Sequence, residues 1–226
     1  HLVLLCKNEE GYKNISLLNA IAFRDGFYYK PRIDLKTLEA HHEGLICLSA
    51  CLAGDIPQAI LNRNFDEAER LVVGFKYLFG EDFYLEMQNH MLEEQLEVNK
   101  YLRIYAKKYG IKLVATNDVH YLERSDAESQ DVLMCVQMSA DYDDPKRLRF
   151  PNDEFYLKSY DEMAALFPND PEALETTLEI ADKCNFGFVY GHYMFPHYYP
   201  ETGEDPKTYI RGLIDAGIKK KYGAET

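Results

Sequence analysis

No stretch of the sequence approaches the roughly 20 consecutive apolar residues that a bilayer-spanning helix needs, so a membrane span of that kind is excluded. Cysteine is scarce and poorly spaced for bridging: Cys6, Cys47, Cys51, Cys135 and Cys184 are an odd five with no CxxC pair. A disulfide scaffold is therefore disfavoured, and a reduced, cytoplasmic protein is expected. Basic residues are also short, 25 Lys and Arg against 38 Asp and Glu, and the net charge is -13. Such a surface does not bind nucleic acid by neutralising many phosphates, and any DNA contact must be local or made by other segments. Absent too are a Walker loop, a GxGxxG turn after a strand, a GxSxG elbow and an HExxH helix, which removes the best evidence for the enzyme classes those motifs serve. His1 opens directly onto apolar Leu2–Leu5 with no basic stretch ahead and no small-residue cleavage site behind, as a strand does and a signal peptide does not.

What is present is a globular composition, 46% hydrophobic and 28% charged over 226 residues, enough for one substantial core. Short apolar runs at Leu2–Leu5, Leu45–Ser49, Phe83–Met87 and Lys112–Thr116 alternate with amphipathic segments at 11–22, 55–61, 66–78 and 93–109. That alternation is the signature of a parallel sheet or barrel. Residues 26–34, aromatic and basic around Pro31, suit an ordered loop. Past Asp126 the spacing predicts helices at 127–138, 160–166 and 171–184, with Asp170 as N-cap and Pro171 in the first turn. An irregular aromatic stretch from Gly187 then leads into a helix over 205–222, so the expected division is 1–186 for the α/β domain and 187–226 for a connector toward a following domain.

The stretch Val114–Leu122 carries the most chemistry. A strand ends there and delivers Asp118 and His120, whose side chains share one side of an extended backbone. Carboxylate plus imidazole at the C-terminal end of a barrel strand is a metal-ligand arrangement. The alternative is a turn-capping Asp118 and a loop His120, and spacing alone leaves both open. Cys51 follows the strand at Leu45–Ser49 and could supply a soft thiolate ligand or simply fill space. His90, beyond a strand containing Glu86 and Gln88, is a candidate for lining a site, whereas His41 and His42 look solvated. Lys30 and Arg32 flank Pro31 and could hold a phosphate or serve as ion-paired loop residues.

Taken together, His1–Leu5 with Asn14, Gly26–Asp34, Gly44–Cys51, Leu85–His90, Val114–Tyr121, Asp144–Arg147 and Glu154–Lys158 resemble, in order, successive blocks of the alpha subunit of bacterial DNA polymerase III. The resemblance implies a PHP domain, a partial distorted (β/α)7 barrel of TIM-like kind with a C-terminal helical extension toward the polymerase palm. It implies that His1, Cys51, Asp118 and His120 match metal ligands of that domain and converge at one end of the sheet, while the remaining ligands, an opening His-x-His pair among them, have no match in this chain. It further implies zinc or manganese in an intact PHP site, magnesium for the polymerase, metal-assisted 3′-5′ exonuclease proofreading where all ligands are kept, and DNA, a proofreading subunit and the sliding clamp as partners. The polymerase's own catalytic aspartates have no counterpart here, so the chain alone is expected to be inactive. The competing expectation is a degenerate barrel that serves only as a scaffold.

Overall fold

Asn8 and Asp34 each place a side-chain oxygen on a backbone N–H three residues ahead, and two helices start there. In the computed structural model, which describes residues 1–193 and 195–223, the first unit, His1–Gly187, runs β1 (Val3–Cys6), α1 (Glu9–Arg24), α2 (Leu35–Ala40), β2 (Leu45–Leu48), α3 (Asp55–Leu61), α4 (Phe65–Phe79), β3 (Phe83–Met87), α5 (Glu93–Tyr109), β4 (Lys112–Ala115), α6 (Ala127–Met138), α7 (Tyr160–Leu166) and α8 (Pro171–Lys183). The second unit, Phe188–Thr226, holds α9 (Pro206–Tyr222), capped by the Asp205 carboxylate on the N–H groups of Lys207 and Thr208 at 3.1 Å.

The sheet has four strands in the order β1-β2-β3-β4, with β2, β3 and β4 parallel. Among the described residues it is one open four-stranded α/β sheet. A difference from the expected parallel order concerns β1, which runs antiparallel to β2 with Val3 opposite Leu48 and Cys6 opposite Leu45. The connection carries two helices, α1 and α2, and returns the chain to the end of the sheet it had just left: the Lys7 N–H donates to the Gly44 carbonyl at 2.9 Å. The close approach needs glycine. Gly44 has φ +71°, and a Cβ on Gly11 would come 1.9 Å from the Gly44 oxygen.

Both sheet faces are covered, which is why the strands lack polar alternation over most of their length. One face packs Leu45, Cys47, Phe83, Leu85 and Met87 against Ile56, Ile60, Val72, Phe75 and Leu102 of α3, α4 and α5. The other packs Ile46, Leu48, Tyr84 and Val114 with Ile180 of α8. Asp170 precedes α8 as expected, but its carboxylate is taken by Arg103 Nε and Nη2 at 2.8 and 2.6 Å rather than by the helix N-terminus. No helix among the described residues is long and apolar enough to cross a membrane.

Candidate functional site

Parallel strands bring their C-terminal ends to one edge, and the reversed β1 begins at that same edge. The β1–β2 register, carried back from Val3, sets His1 across from Ala50, and the His1 amino group donates to the Ala53 carbonyl at 3.2 Å. Cys51 stands half-buried in the turn between β2 and α3. That turn is tight: Gly54 N–H donates to the Cys51 carbonyl at 2.8 Å, and a Cβ on Gly54 would meet the Ser49 oxygen at 2.4 Å. Ala50, just before the cysteine, sits at φ +63°. Left-handed backbone at a non-glycine residue is strained and tends to gather where a fold builds a site.

Beyond β4, Asp118 is likewise left-handed, at φ +42°. Its neighbour Asn117 is buried and donates its side-chain amide to the carbonyls of Glu154 and Tyr156 at 2.9 and 2.7 Å, which draws residues 154–157 alongside. The His120 N–H then donates to the Phe155 carbonyl at 2.8 Å. The His120 ring is exposed, keeps Nδ1 2.6 Å from the Asp118 carbonyl oxygen, and packs on Phe150 with ring centres 4.7 Å apart.

Between these two turns stands the end of β3. Glu86 is buried, and its carboxylate accepts from the Ala50 N–H at 3.1 Å, the Gln88 side-chain amide at 3.1 Å and the Thr116 hydroxyl at 2.5 Å. Burial pushes its pKa up, those three donors pull it down, nearby Asp118 adds to the rise, and the net direction is upward. Residue-type reasoning passed over Glu86. A signal was available, since Tyr84, Glu86 and Gln88 put a carboxylate on the inward face of a strand that is otherwise apolar on both sides.

His90, expected to line a site, is 0% exposed. Nδ1 is 2.7 Å from the Gln95 amide and Nε2 is 2.9 Å from the Asn117 carbonyl, while the ring stacks on Phe155 at 3.9 Å. Burial holds its pKa down. It packs beneath the edge and supports the turn before Asp118. Lys30 and Arg32 lie on the exposed loop after α1, with the Arg32 guanidinium 5.1 Å above the Tyr28 ring.

A thiol, two imidazoles and a carboxylate are a chemically suitable donor set for zinc. Among the described residues, however, no group of three or more His, Cys, Asp or Glu side chains lies close enough to hold a metal ion. His1 precedes β1, Cys51 follows β2, and Asp118 and His120 follow β4, so all four belong to one edge of the sheet without gathering into a complete centre among the described residues.

A PHP domain model matches residues 1–90. The chain is 44% identical over 228 residues to the DNA polymerase III subunit alpha of Borreliella burgdorferi, an alignment covering 98% of the chain and 20% of the relative. It is 43% identical over 224 residues to the subunit of Treponema pallidum and 42% identical over 228 residues to that of Thermus aquaticus, each alignment covering 98% of the chain and 19% of the relative. The chain thus spans about a fifth of the length of the curated relatives it matches. With an α/β sheet bearing a PHP match at its start and alignment across nearly all its residues, the chain belongs to the bacterial DNA polymerase III alpha subunit family.

Proposed function

We propose that this chain serves DNA replication as the PHP portion of a DNA polymerase III alpha subunit, with residues beyond Gly187 leading toward the polymerase palm. The observation that carries the reading is the near-complete alignment of the chain to three bacterial alpha subunits at more than 40% identity. In this reading nucleotidyl transfer, with its magnesium, belongs to other segments, as do the contacts with DNA, the proofreading subunit and the clamp.

The PHP portion contributes His1, Cys51, Asp118 and His120 as part of a larger ligand set. That no three such side chains gather among the described residues supports a role in which this chain holds only some of the donors. No hydrolytic step is assigned to the chain by itself, and the 3′-5′ exonuclease is a property proposed for an intact site. The same observation favours a second reading, a PHP fold kept as a scaffold for the polymerase.

Grafting the chain into the Thermus aquaticus alpha subunit in place of the matching segment tests the main reading. The chimera is expected to retain primer extension within about tenfold of the parent. A soluble, folded chimera without primer extension would overturn it.

A further inference from the structure

The two turns that carry Cys51 and Asp118 belong to different strands, and each passes through a strained residue. Ala50 is at φ +63° and Asp118 at φ +42°. A fold keeps such conformations only where neighbouring contacts over-determine them. Both turns are tied to one side chain. The Glu86 carboxylate accepts from the N–H of Ala50 itself through Oε2 and from the Thr116 hydroxyl, two residues before Asp118, through Oε1. Its own peptide N–H donates to Ser49 Oγ at 2.8 Å, and the Ser49 N–H donates to the Tyr84 carbonyl at 3.2 Å, so β3 is stitched to the end of β2 by main chain and side chain together.

A carboxylate is chemically suited to this position because all three groups facing it can donate. The backbone N–H of Ala50 and the amide nitrogen of Gln88 can only donate, and the Thr116 hydroxyl does so here. Gln88 also gives up something for the arrangement. With its amide nitrogen turned to Glu86, its Oε1 is the buried side-chain atom left without a partner among the described residues. Turning the amide over would set a carbonyl oxygen against the carboxylate. The carboxylate therefore dictates the orientation of its neighbour.

We propose that Glu86 is a positioning residue that clamps the Cys51 turn and the Asp118 turn to a common spacing. That these turns form a metal-binding edge rests on the reading above; the clamp does not.

Amide hydrogen exchange on this chain tests the clamp directly, because exchange reads local opening segment by segment. In Glu86→Met, a side chain of similar length that accepts no comparable hydrogen bond, the Ala50 N–H and the Thr116 hydroxyl both lose their acceptor. The amides of Ala50, Cys51, Asn117 and Asp118 should exchange about tenfold faster or more. Those of Val72 and Leu102, in the core of α4 and α5, should keep their rates. Thr116→Val, which removes only one arm, should loosen Asn117 and Asp118 and leave Ala50 unchanged, and it decides the matter if Glu86→Met fails to fold. Unchanged rates at both turns, or equal acceleration at Val72 and Leu102, would overturn the proposal, the latter because it marks a general loss of stability. Cobalt(II) titration of the unaltered chain, followed by thiolate charge-transfer absorption, is run alongside. A missing band would show that Cys51 holds no metal in this chain by itself, and the exchange rates would still judge the clamp.

Discussion

Five cysteines in one reduced chain occupy different environments, and their surroundings set their chemistry. Cys47 is fully buried on β2, where desolvation and the nearby Glu86 carboxylate push its thiol far up. Cys135 is buried on α6. Cys6 and Cys184 are half-buried, and burial raises both thiols, helped at Cys6 by Cys184 and at Cys184 by Asp82. Cys51 is half-buried in a strand-end turn. Since alkylation requires an accessible thiolate, iodoacetamide under native conditions should label Cys51 first, Cys6 and Cys184 more slowly, and Cys47 and Cys135 only after unfolding. Peptide mass spectrometry against time reads the order, and early labelling of Cys47 would show that the β2 core opens readily. The placement of Cys51 and Asp118 at strand ends was legible in the sequence because apolar runs end visibly. Glu86 stood out only as a carboxylate in an otherwise apolar strand, and its role was hidden because it depends on Ala50 and Thr116, which come near it only when three strands align. The burial of His90 was hidden for a similar reason: a histidine after a strand has the same spacing whether it faces solvent or Asn117 and Gln95.

Among the elements, α7 shows how a local cap can hold a distant segment. Ser159 and Glu162 form a capping box, each side chain reaching back to the other's backbone N–H. Glu162 also accepts from the Tyr156 hydroxyl at 2.6 Å, and Tyr156 lies in the segment that pairs with Tyr121 beyond the Asp118 turn. The Tyr156 hydroxyl, then the Ser159 backbone and hydroxyl, hold the Glu162 carboxyl at about 2, below its ordinary 4.5. A carboxyl depressed by folding stabilises the native state above its unfolded pKa and loses that contribution as pH falls through the folded value. Glu162→Gln should therefore lower Tm relative to the unaltered chain at pH 7, and the gap should shrink as pH drops from about 4.5 toward 2. A gap that stays constant with pH would show that the ionised form is not what matters. The position of α5 follows from spacing alone, as its periodic apolar face required. The direction of β1 does not, because four apolar residues read the same in either sense and only the two-helix return through Gly44 sets it.

At the scale of the whole first unit, metal binding turns on how far the sheet separates its donors. Zinc takes four ligands at about 2.0–2.3 Å, and its sites need ligand atoms gathered around one point. Adjacent strands lie about 4.8 Å apart, so the strands ending near Cys51 and Asp118, with β3 between them, are separated by roughly 10 Å of sheet. Side chains can shorten that span, but Glu86 and Gln88 fill the ground between, and the His120 ring is packed against Phe150. No three such donors gather among the described residues, and outer contacts that would orient them further count for 10- to 100-fold in affinity when lost. Calorimetric titration of this chain with zinc should therefore find at most one site, weak, and removed by Cys51→Ser. Lys30→Ala with Arg32→Ala should leave it unchanged, because neither cationic side chain has a lone pair to offer a metal. Tight binding of several ions by the unaltered chain would mean that the edge closes around metal by itself, and the view of an edge with separated donors would have to be given up.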